Sequence, residues 1–195
     1  MTVGTDVKQT PQKNAGETRQ RIFDSARRCF STTSYEAVGI RDIAKTAGVD
    51  AALVMRYFGS KEDLFKRVAA DAFSFEENPS DQASVLVERI LDPLFLPASS
   101  KDWREGYDPF RLLLCSIGSA TAGPVISSAF KEAFVQRLSG CLKGRGKQPR
   151  AVLISSYILG VALLRVTEPN ETFAGASGNL IRSKLRAALS DCITP

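Results

Sequence analysis

The chain has 195 residues, of which 44 % are hydrophobic and 24 % charged, as in an ordinary globular protein that can bury a sizeable core. It contains no His, and its four Cys have no C-x-x-C spacing, which argues against a structural zinc site and removes the commonest general base of enzymes. Most of the net charge of +5 lies in residues 1–70, which hold 12 Lys or Arg and 8 Asp or Glu. This surplus suits a phosphate-bearing partner, and a solvated basic face is the alternative.

The first 30 residues contain a polar segment followed by a helical pattern. Residues 1–16 lack apolar periodicity and are rich in polar, Gly and Pro residues, so we expect a disordered arm. They contain no apolar stretch of the kind that an export signal needs, so we expect a cytoplasmic protein. Residues 17–30 place four apolar residues on one helical stripe: Ile22, Phe23, Ala26 and Phe30.

Residues 38–58 contain two short helical patterns separated by a Gly. The first pattern has apolar residues at i, i+3, i+4 and i+7: Ile40, Ile43, Ala44 and Ala47. Gly48 can take a positive φ and reverse the chain, and Asp50 can cap a new helix over residues 51–57. Two helices that cross over such a turn match the helix-turn-helix, although other α proteins pack two helices in the same way.

A further helix begins after Gly59. Ser60 can cap this helix, and Asp63 three residues later makes a variant of the capping box. Lys61 occupies the first helical position, where free N–H groups and an ammonium point at the same anion. Because the apolar pattern continues to Phe73, the helix is long enough, at roughly 22 Å, to connect this region to the rest of the chain.

Residues 41–65, RDIAKTAGVDAALVMRYFGSKEDLF, resemble the DNA-binding signature of the tetracycline-repressor (TetR) family of transcription regulators. The resemblance covers about residues 17–70. The helix, the AGV turn, the short second helix with its aromatic end and the GSKEDLF start of the next helix occur in order and without gaps. The resemblance implies an all-α fold, in which an N-terminal three-helix helix-turn-helix domain is joined by helix 4 to a C-terminal helical domain for effector binding and dimerisation.

The same resemblance implies a set of residues that contact double-stranded DNA: Arg41, Ala51, Ala52, Arg56, Tyr57 and Lys61. We expect Arg56 to reach a base edge and Lys61 to meet a phosphate. Two positions depart from the family pattern. Ala52 stands where the family mostly has Gly, and Met55 stands where it mostly has a Tyr that commonly touches the DNA backbone. The resemblance therefore implies no contact between Met55 and the DNA backbone.

The remainder of the chain alternates helical patterns with loops. Residues 76–81, EENPSD, form the predicted boundary between a domain over residues 17–75 and a second over residues 82–195. Helical patterns cover residues 82–96, 110–122, 124–142, 151–164 and 178–191, and loops are expected at 97–109 and 143–150.

Aromatic residues of the second domain are candidates for an effector pocket. The predicted lining is Phe95, Trp103, Phe110, Phe130, Phe134 and Tyr157. Such a pocket would suit an apolar or aromatic small molecule, and ordinary core packing accounts for the same residues.

Residues 151–164 form a stretch without charged side chains. The stretch is too short to span a membrane, so it indicates a buried helix or an oligomer interface. With the resemblance, we expect residues 148–166 and 178–191 of two chains to form a four-helix bundle across a twofold axis. The apolar contacts would come from Ile158, Leu159 and Leu163, with Gly160 and Ala162 allowing close approach.

Three functional hypotheses follow. The first is a homodimeric transcription repressor that a small-molecule effector releases from a palindromic operator. The second is a constitutive or architectural DNA-binding protein without an effector. The third is a helical enzyme or adaptor that only shares the packing pattern, but the chain shows neither a Gly-rich phosphate loop nor a nucleophile elbow. No metal, cofactor or membrane partner is predicted.

Overall fold

Helices form all the regular secondary structure in the part of the chain that the computed structural model describes, which is residues 11–74, 82–95, 107–167 and 170–194. In chain order they are α1 Pro11–Thr32, α2 Ile40–Ala47, α3 Ala51–Phe58, α4 Lys61–Ala72, α5 Ala83–Leu94, α6 Pro109–Ser116, α7 Ala122–Phe130, α8 Arg137–Cys141, α9 Lys147–Thr167 and α10 Gly175–Ile193. A π-helical segment, Lys131–Gln136, joins α7 to α8, and a 3-10 turn, Asn170–Phe173, precedes α10. The predicted all-α fold is confirmed.

The four N-terminal helices enclose a core of their own. α1 packs against α2, α3 and α4, and α2 packs against α3. The side chains buried there include Ile22, Ala26, Phe30, Ile43, Ala47, Val54, Phe58, Leu64, Phe65 and Val68. Because each helix contributes residues at helical spacing, burial of these stripes fixes the orientation of α3.

The turn between α2 and α3 has the geometry that the sequence predicts. Gly48 has a φ of 64° and a ψ of 40°, a left-handed conformation that residues with a Cβ rarely adopt. Its N–H donates to the Lys45 carbonyl at 3.2 Å, and the Val49 N–H donates to the Ala44 carbonyl at 3.0 Å. These two bonds satisfy the end of α2 as in a Schellman motif, so the chain reverses directly into α3.

The first helix begins earlier than predicted. α1 starts at Pro11, so the interpretation of residues 1–16 as a disordered arm is wrong for residues 11–16. Pro suits the first turn of a helix, because its φ is already helical and it has no N–H to leave without an acceptor. Residues 1–10 lie outside the described residues, as does the predicted domain boundary at 76–81.

In the second domain, the predicted helix over residues 110–122 is too long. α6 ends at Ser116, and a turn over residues 117–121 separates it from α7. The hydroxyl of Ser119 accepts a hydrogen bond from the Ala122 N–H at 2.9 Å, which caps the start of α7. The predicted loop over 143–150 is also shorter, since α9 begins at Lys147.

The two domains are in contact through α4. The side chain of Phe73, which follows α4, is 1 % exposed. Its ring centroid lies 5.1 Å from that of Phe130 in an edge-to-face arrangement and 6.2 Å from that of Phe110. The end of α4 is therefore packed into the aromatic interior of the second domain.

A second contact between the domains runs through α1, which packs along α6. The Arg27 guanidinium pairs with the Asp71 carboxylate at 2.7 Å and lies 4.2 Å from the ring centroid of Tyr107, just before α6. Burial raises the pKa of Tyr107 to about 12, against the opposing effect of the Arg27 charge. The thiol of Cys115 donates to the Ser31 carbonyl at 3.6 Å. Helix α4 is thus not the sole link between the domains.

Candidate nucleic-acid interface

Helix α3 presents a short exposed face next to its buried one. Val54 is 0 % exposed and Phe58 is 4 % exposed, so both anchor the helix in the core. On the opposite side Ala52, Met55 and Arg56 are exposed, at the helical spacing that places them together. The surface that α3 presents to a partner therefore consists of a small residue, a flexible apolar side chain and a cation.

Both ends of α3 are defined by local hydrogen bonds. The Asp50 carboxylate accepts from the Ala52 N–H at 2.7 Å, as predicted for the N-cap. Gly59, with a φ of 83°, ends the helix and donates its N–H to the Met55 carbonyl at 2.8 Å. These bonds keep α3 at eight residues, so its exposed face is small and rigidly placed.

The six residues predicted to contact DNA differ in accessibility. Ala52, Arg56 and Arg41 are exposed. Ala51 and Tyr57 are half-buried and pack against the core. Arg56 is therefore accessible to a partner on the exposed face of α3, whereas Tyr57 is only partly accessible.

Lys61, at the start of α4, makes contacts that the sequence does not predict. The predicted capping box is confirmed, because the Ser60 hydroxyl accepts from the Asp63 N–H at 3.0 Å and the Asp63 carboxylate accepts from the Ser60 N–H at 3.3 Å. The Lys61 ammonium lies 4.2 Å from the ring centroid of Tyr35. Burial lowers the pKa of Lys61, and the nearby charge of Glu36 opposes this effect.

Sequence reasoning missed Tyr35 and Glu36 as neighbours of Lys61. Both lie in the loop between α1 and α2, which has no helical periodicity to place a side chain. An aromatic residue next to an acid a few residues before α2 is the only signal that the sequence carries.

Two further cations lie beside α3. The guanidinium carbons of Arg19 and Arg67 lie 5.6 and 5.5 Å from the ring centroid of Phe58. Both side chains are exposed. With Arg56 they bring three exposed guanidinium groups to α3 and its neighbours, which is the kind of charge that a phosphate-bearing partner requires.

Comparisons with known proteins agree with this geometry. The family model for bacterial regulatory proteins of the tetR family matches residues 22–68, and the model for the tetracyclin repressor-like C-terminal domain matches residues 96–193. The chain belongs to the TetR family. The matched relatives are named as HTH-type transcriptional repressors and regulators.

Relatives of this TetR-family protein match mainly over part of their length. The HTH-type transcriptional repressor AcnR of Corynebacterium efficiens is 36 % identical over 78 residues, which are 38 % of this chain and 42 % of AcnR. The HTH-type transcriptional regulatory protein RaaS of Mycobacterium tuberculosis is 47 % identical over 66 residues, or 34 % of this chain and 30 % of RaaS. The chain thus spans less than half the length of these relatives.

Solved structures match over almost the whole chain. NalD of Pseudomonas aeruginosa has a TM-score of 0.67 at 17 % identity and covers 93 % of this chain and 97 % of its own. MexZ of the same organism has a TM-score of 0.59 at 18 % identity, covering 91 % and 96 %. At such low identity these structures show that both domains have the TetR-family fold.

Three residues of the predicted effector pocket lie close to Phe73. Phe110 is 6 % exposed and Phe134 is 0 % exposed. Phe130 stacks on Phe134 with ring centroids 5.0 Å apart. The rings of Phe110 and Phe130 both lie against Phe73 at the end of α4, so a compound bound beside them would touch the helix that leads to the DNA-binding domain. The pocket itself stays a prediction.

The other three pocket candidates have different surroundings. Phe95 lies next to Phe173, with ring centroids 6.4 Å apart. Tyr157 is 41 % exposed on α9, so the expectation that it lines an interior pocket is wrong. Because residues 151–164 have no charged side chains, their pattern does not show which face of the helix is exposed. The sequence therefore contains no sign that Tyr157 lies on the exposed face. Trp103 lies outside the described residues.

Helix α9 has an exposed apolar face. Its members are Val152, Leu153, Tyr157, Leu163 and Leu164, which are 41 to 51 % exposed. Gly160 is exposed among them. The predicted dimer contact at Ile158 is wrong, because Ile158 is 0 % exposed and packs within its own chain. Leu163 lies on the exposed face, Leu159 is half-buried at its edge, and Ala162 is buried.

Two negative findings concern only the described part of the chain. There, no three or more His, Cys, Asp or Glu side chains are grouped so that they could hold a metal ion. Within the same residues, no helix combines the length and apolar character needed to cross a membrane.

Proposed function

We propose that the protein is a homodimeric repressor that binds a palindromic operator through α3 and is released by a small molecule. The observation that carries the proposal is the exposed face of α3, where Ala52, Met55 and Arg56 lie together. Lys61, at the capped start of α4, supplies the phosphate contact beside this face. The protein would bind its operator in the bacterial cytoplasm, where the DNA lies.

A dimer would use this face twice. In a twofold assembly, the two α3 helices enter successive major grooves whose centres are about 34–36 Å apart. The operator must then have the symmetry of the protein, so the half-sites are inverted repeats. The exposed apolar face of α9 supports this arrangement, because a monomer in water gains nothing from five exposed large apolar side chains on one helix.

Repression is supported by the names of the similar proteins. AcnR is a transcriptional repressor, and NalD is the secondary repressor of the MexAB-OprM multidrug efflux pump. Release by an effector requires that the compound bind one arrangement of the two domains better than the other, and DNA must then weaken that compound by the same factor. The rings of Phe110, Phe130 and Phe134 favour an apolar or aromatic compound.

The experiment that tests the proposal is selection of bound DNA from a random pool with the purified protein. We expect an enriched site with inverted-repeat symmetry. Thermal denaturation of the DNA-free protein with a panel of apolar and aromatic compounds then tests effector binding. If no sequence is enriched, sequence-specific DNA binding is contradicted. If no compound dissociates the protein from its operator, a constitutive DNA-binding protein is favoured.

Arg56 and Lys61 are expected to have separable effects on DNA binding. Arg bonds guanine bidentately, a contact worth about 1–3 kcal/mol of discrimination, so Arg56→Ala should relax the sequence preference. Lys61→Ala should weaken binding to all sequences alike and reduce the salt slope by about one unit per half-site. Titrations of operator and random duplexes at several salt concentrations measure both effects. Unchanged affinity of Arg56→Ala for both duplexes would remove Arg56 from the interface.

Met55 is expected to contact a thymine. It is 46 % exposed on the face of α3, and the thymine methyl is the apolar group that base edges offer in the major groove. Replacing that thymine by deoxyuridine should weaken wild-type binding about fourfold, since a buried methyl group is worth about 0.8 kcal/mol. Met55→Ala should bind both duplexes equally. Equal sensitivity of wild type and Met55→Ala at every thymine would contradict the contact.

A further inference from the structure

A direct contact between the two domains reaches the loop that carries Tyr35 and Glu36. The hydroxyl of Ser119, in the turn between α6 and α7, donates a hydrogen bond to the Glu36 carboxylate. The same hydroxyl accepts from the Ala122 N–H at 2.9 Å, and Ser119 is only 9 % exposed. The position of Glu36 therefore depends on the turn that connects two helices of the second domain.

Lys61, the proposed phosphate contact, lies against the same loop. Its ammonium lies over the ring of Tyr35, 4.2 Å from the centroid, and Glu36 is the next residue in the chain. The charges of Glu36 and Lys61 interact, because each shifts the pKa of the other toward the charged form, although the hydrogen bond from Ser119 is the larger cause for Glu36. Glu36 and Lys61 do not form an ion pair with each other in the described part of the structure.

We propose that Ser119 and Lys61 compete for Glu36, and that this exchange controls the phosphate site at the start of α4. While Ser119 holds the carboxylate, Lys61 is available to a DNA phosphate. When the turn between α6 and α7 moves, Glu36 is released, pairs with Lys61 and neutralises the charge that DNA needs. This inference rests on the proposed function, and it adds a route from the second domain to the DNA that does not run along α4.

The size of the effect follows from the chemistry of a single phosphate contact. A contact with a salt slope of about 0.9 changes affinity by a factor of about eight over a tenfold change in salt. Glu36 is exposed, so its ion pair with Lys61 would reduce this contact rather than abolish it. In a dimer the loss occurs once in each half-site.

The test uses the selected operator duplex and the full chain. We expect Ser119→Ala to bind it about three- to eightfold more weakly per half-site near 0.1 M salt, with a smaller salt slope. Glu36→Gln keeps the Ser119 bond and removes the charge, so it should bind at least as tightly as wild type. The double variant Ser119→Ala/Glu36→Gln should recover wild-type affinity, because the released side chain can no longer neutralise Lys61. In a Lys61→Ala background, Ser119→Ala should have no further effect.

Ser119→Ala also removes the cap of α7, so a thermal melt accompanies each titration. If that variant does not fold, Ser119→Asp takes its place, since a carboxylate still accepts from the Ala122 N–H but cannot donate to Glu36. Wild-type affinity of the folded Ser119 variant overturns the inference, and so does weakened binding that Glu36→Gln fails to restore. If wild type itself selects no DNA, the proposed function fails rather than this competition.

Discussion

Replacing Leu163 with Asp is expected to convert the protein to monomers and to abolish tight operator binding. Leu163 is 46 % exposed on the apolar face of α9, so the folded subunit tolerates a carboxylate there. In the proposed dimer the same position is covered by the partner. A buried, unpaired charge costs about 3 kcal/mol, and twofold symmetry applies that cost twice, so the dimer Kd should rise by roughly four orders of magnitude.

A matched control exists on another helix. Val85, on α5, is 43 % exposed and is not part of the α9 face, so Val85→Asp should leave both dimer and DNA binding unchanged. Sedimentation velocity at micromolar concentration distinguishes the two variants, and operator titration follows from the same samples. A wild type that sediments as a monomer, or a Leu163→Asp variant that remains a dimer, would contradict this interface.

Helix α10 is expected to complete the same interface. It packs against α9, and its outer side has exposed small or apolar residues at helical spacing: Ala176, Leu180, Ser183 and Ala187. Leu180 is 60 % exposed, the largest value among the exposed large apolar side chains of the described residues. Small residues allow two α10 helices to approach closely, while Leu180 provides the apolar contact.

Replacing Phe73 with Ala is expected to destabilise the protein by about 3–5 kcal/mol, which is the usual cost of deleting a buried Phe side chain. Phe73 is 1 % exposed and packs edge to face on Phe130. The cavity would lie between the end of α4 and α7, so the DNA-binding domain would also lose a fixed orientation. Urea denaturation measures the free energy of unfolding, and operator titration measures the second effect.

Phe73→Leu is the control for this variant, because it fills most of the space without offering a ring to Phe130. It should cost less free energy of unfolding than Phe73→Ala and should retain more operator affinity. If Phe73→Ala unfolds at the same urea concentration as wild type, the aromatic contact between α4 and the second domain does not stabilise the fold.

The helix-turn-helix and the start of α4 could be predicted because their determinants are local. The stripe of α2, the positive φ at Gly48 and the Asp50 cap depend on residues a few positions apart. The capping box of Ser60 and Asp63 is local in the same way. The conformation at each of these positions is determined by residues that are neighbours in the sequence. Sequence reasoning therefore located α2, α3 and the start of α4.

The second domain could not be predicted with the same success. The uncharged segment of α9 offers apolar side chains on every face, so nothing in its pattern shows that Ile158 faces inward and Tyr157 outward. The end of α6 depends on a turn whose Ser119 bonds to residue 36 of the other domain. Contacts between residues 83 positions apart in the chain leave no periodic signal.

The double attachment of the DNA-binding domain limits how it can move. A body held at one point can swing in any direction, but a body held at two separated points can turn only about the line that joins them. The contacts of α1 with α6 and of α4 with α7 are two such attachments, and the hydrogen bond from Ser119 to Glu36 is a third, which must break before the domain can turn about the line through the other two. Helix α3 packs on α1, α2 and α4, so it turns with them as one body. The distance between the two recognition helices of a dimer then has one degree of freedom, the angle of that hinge.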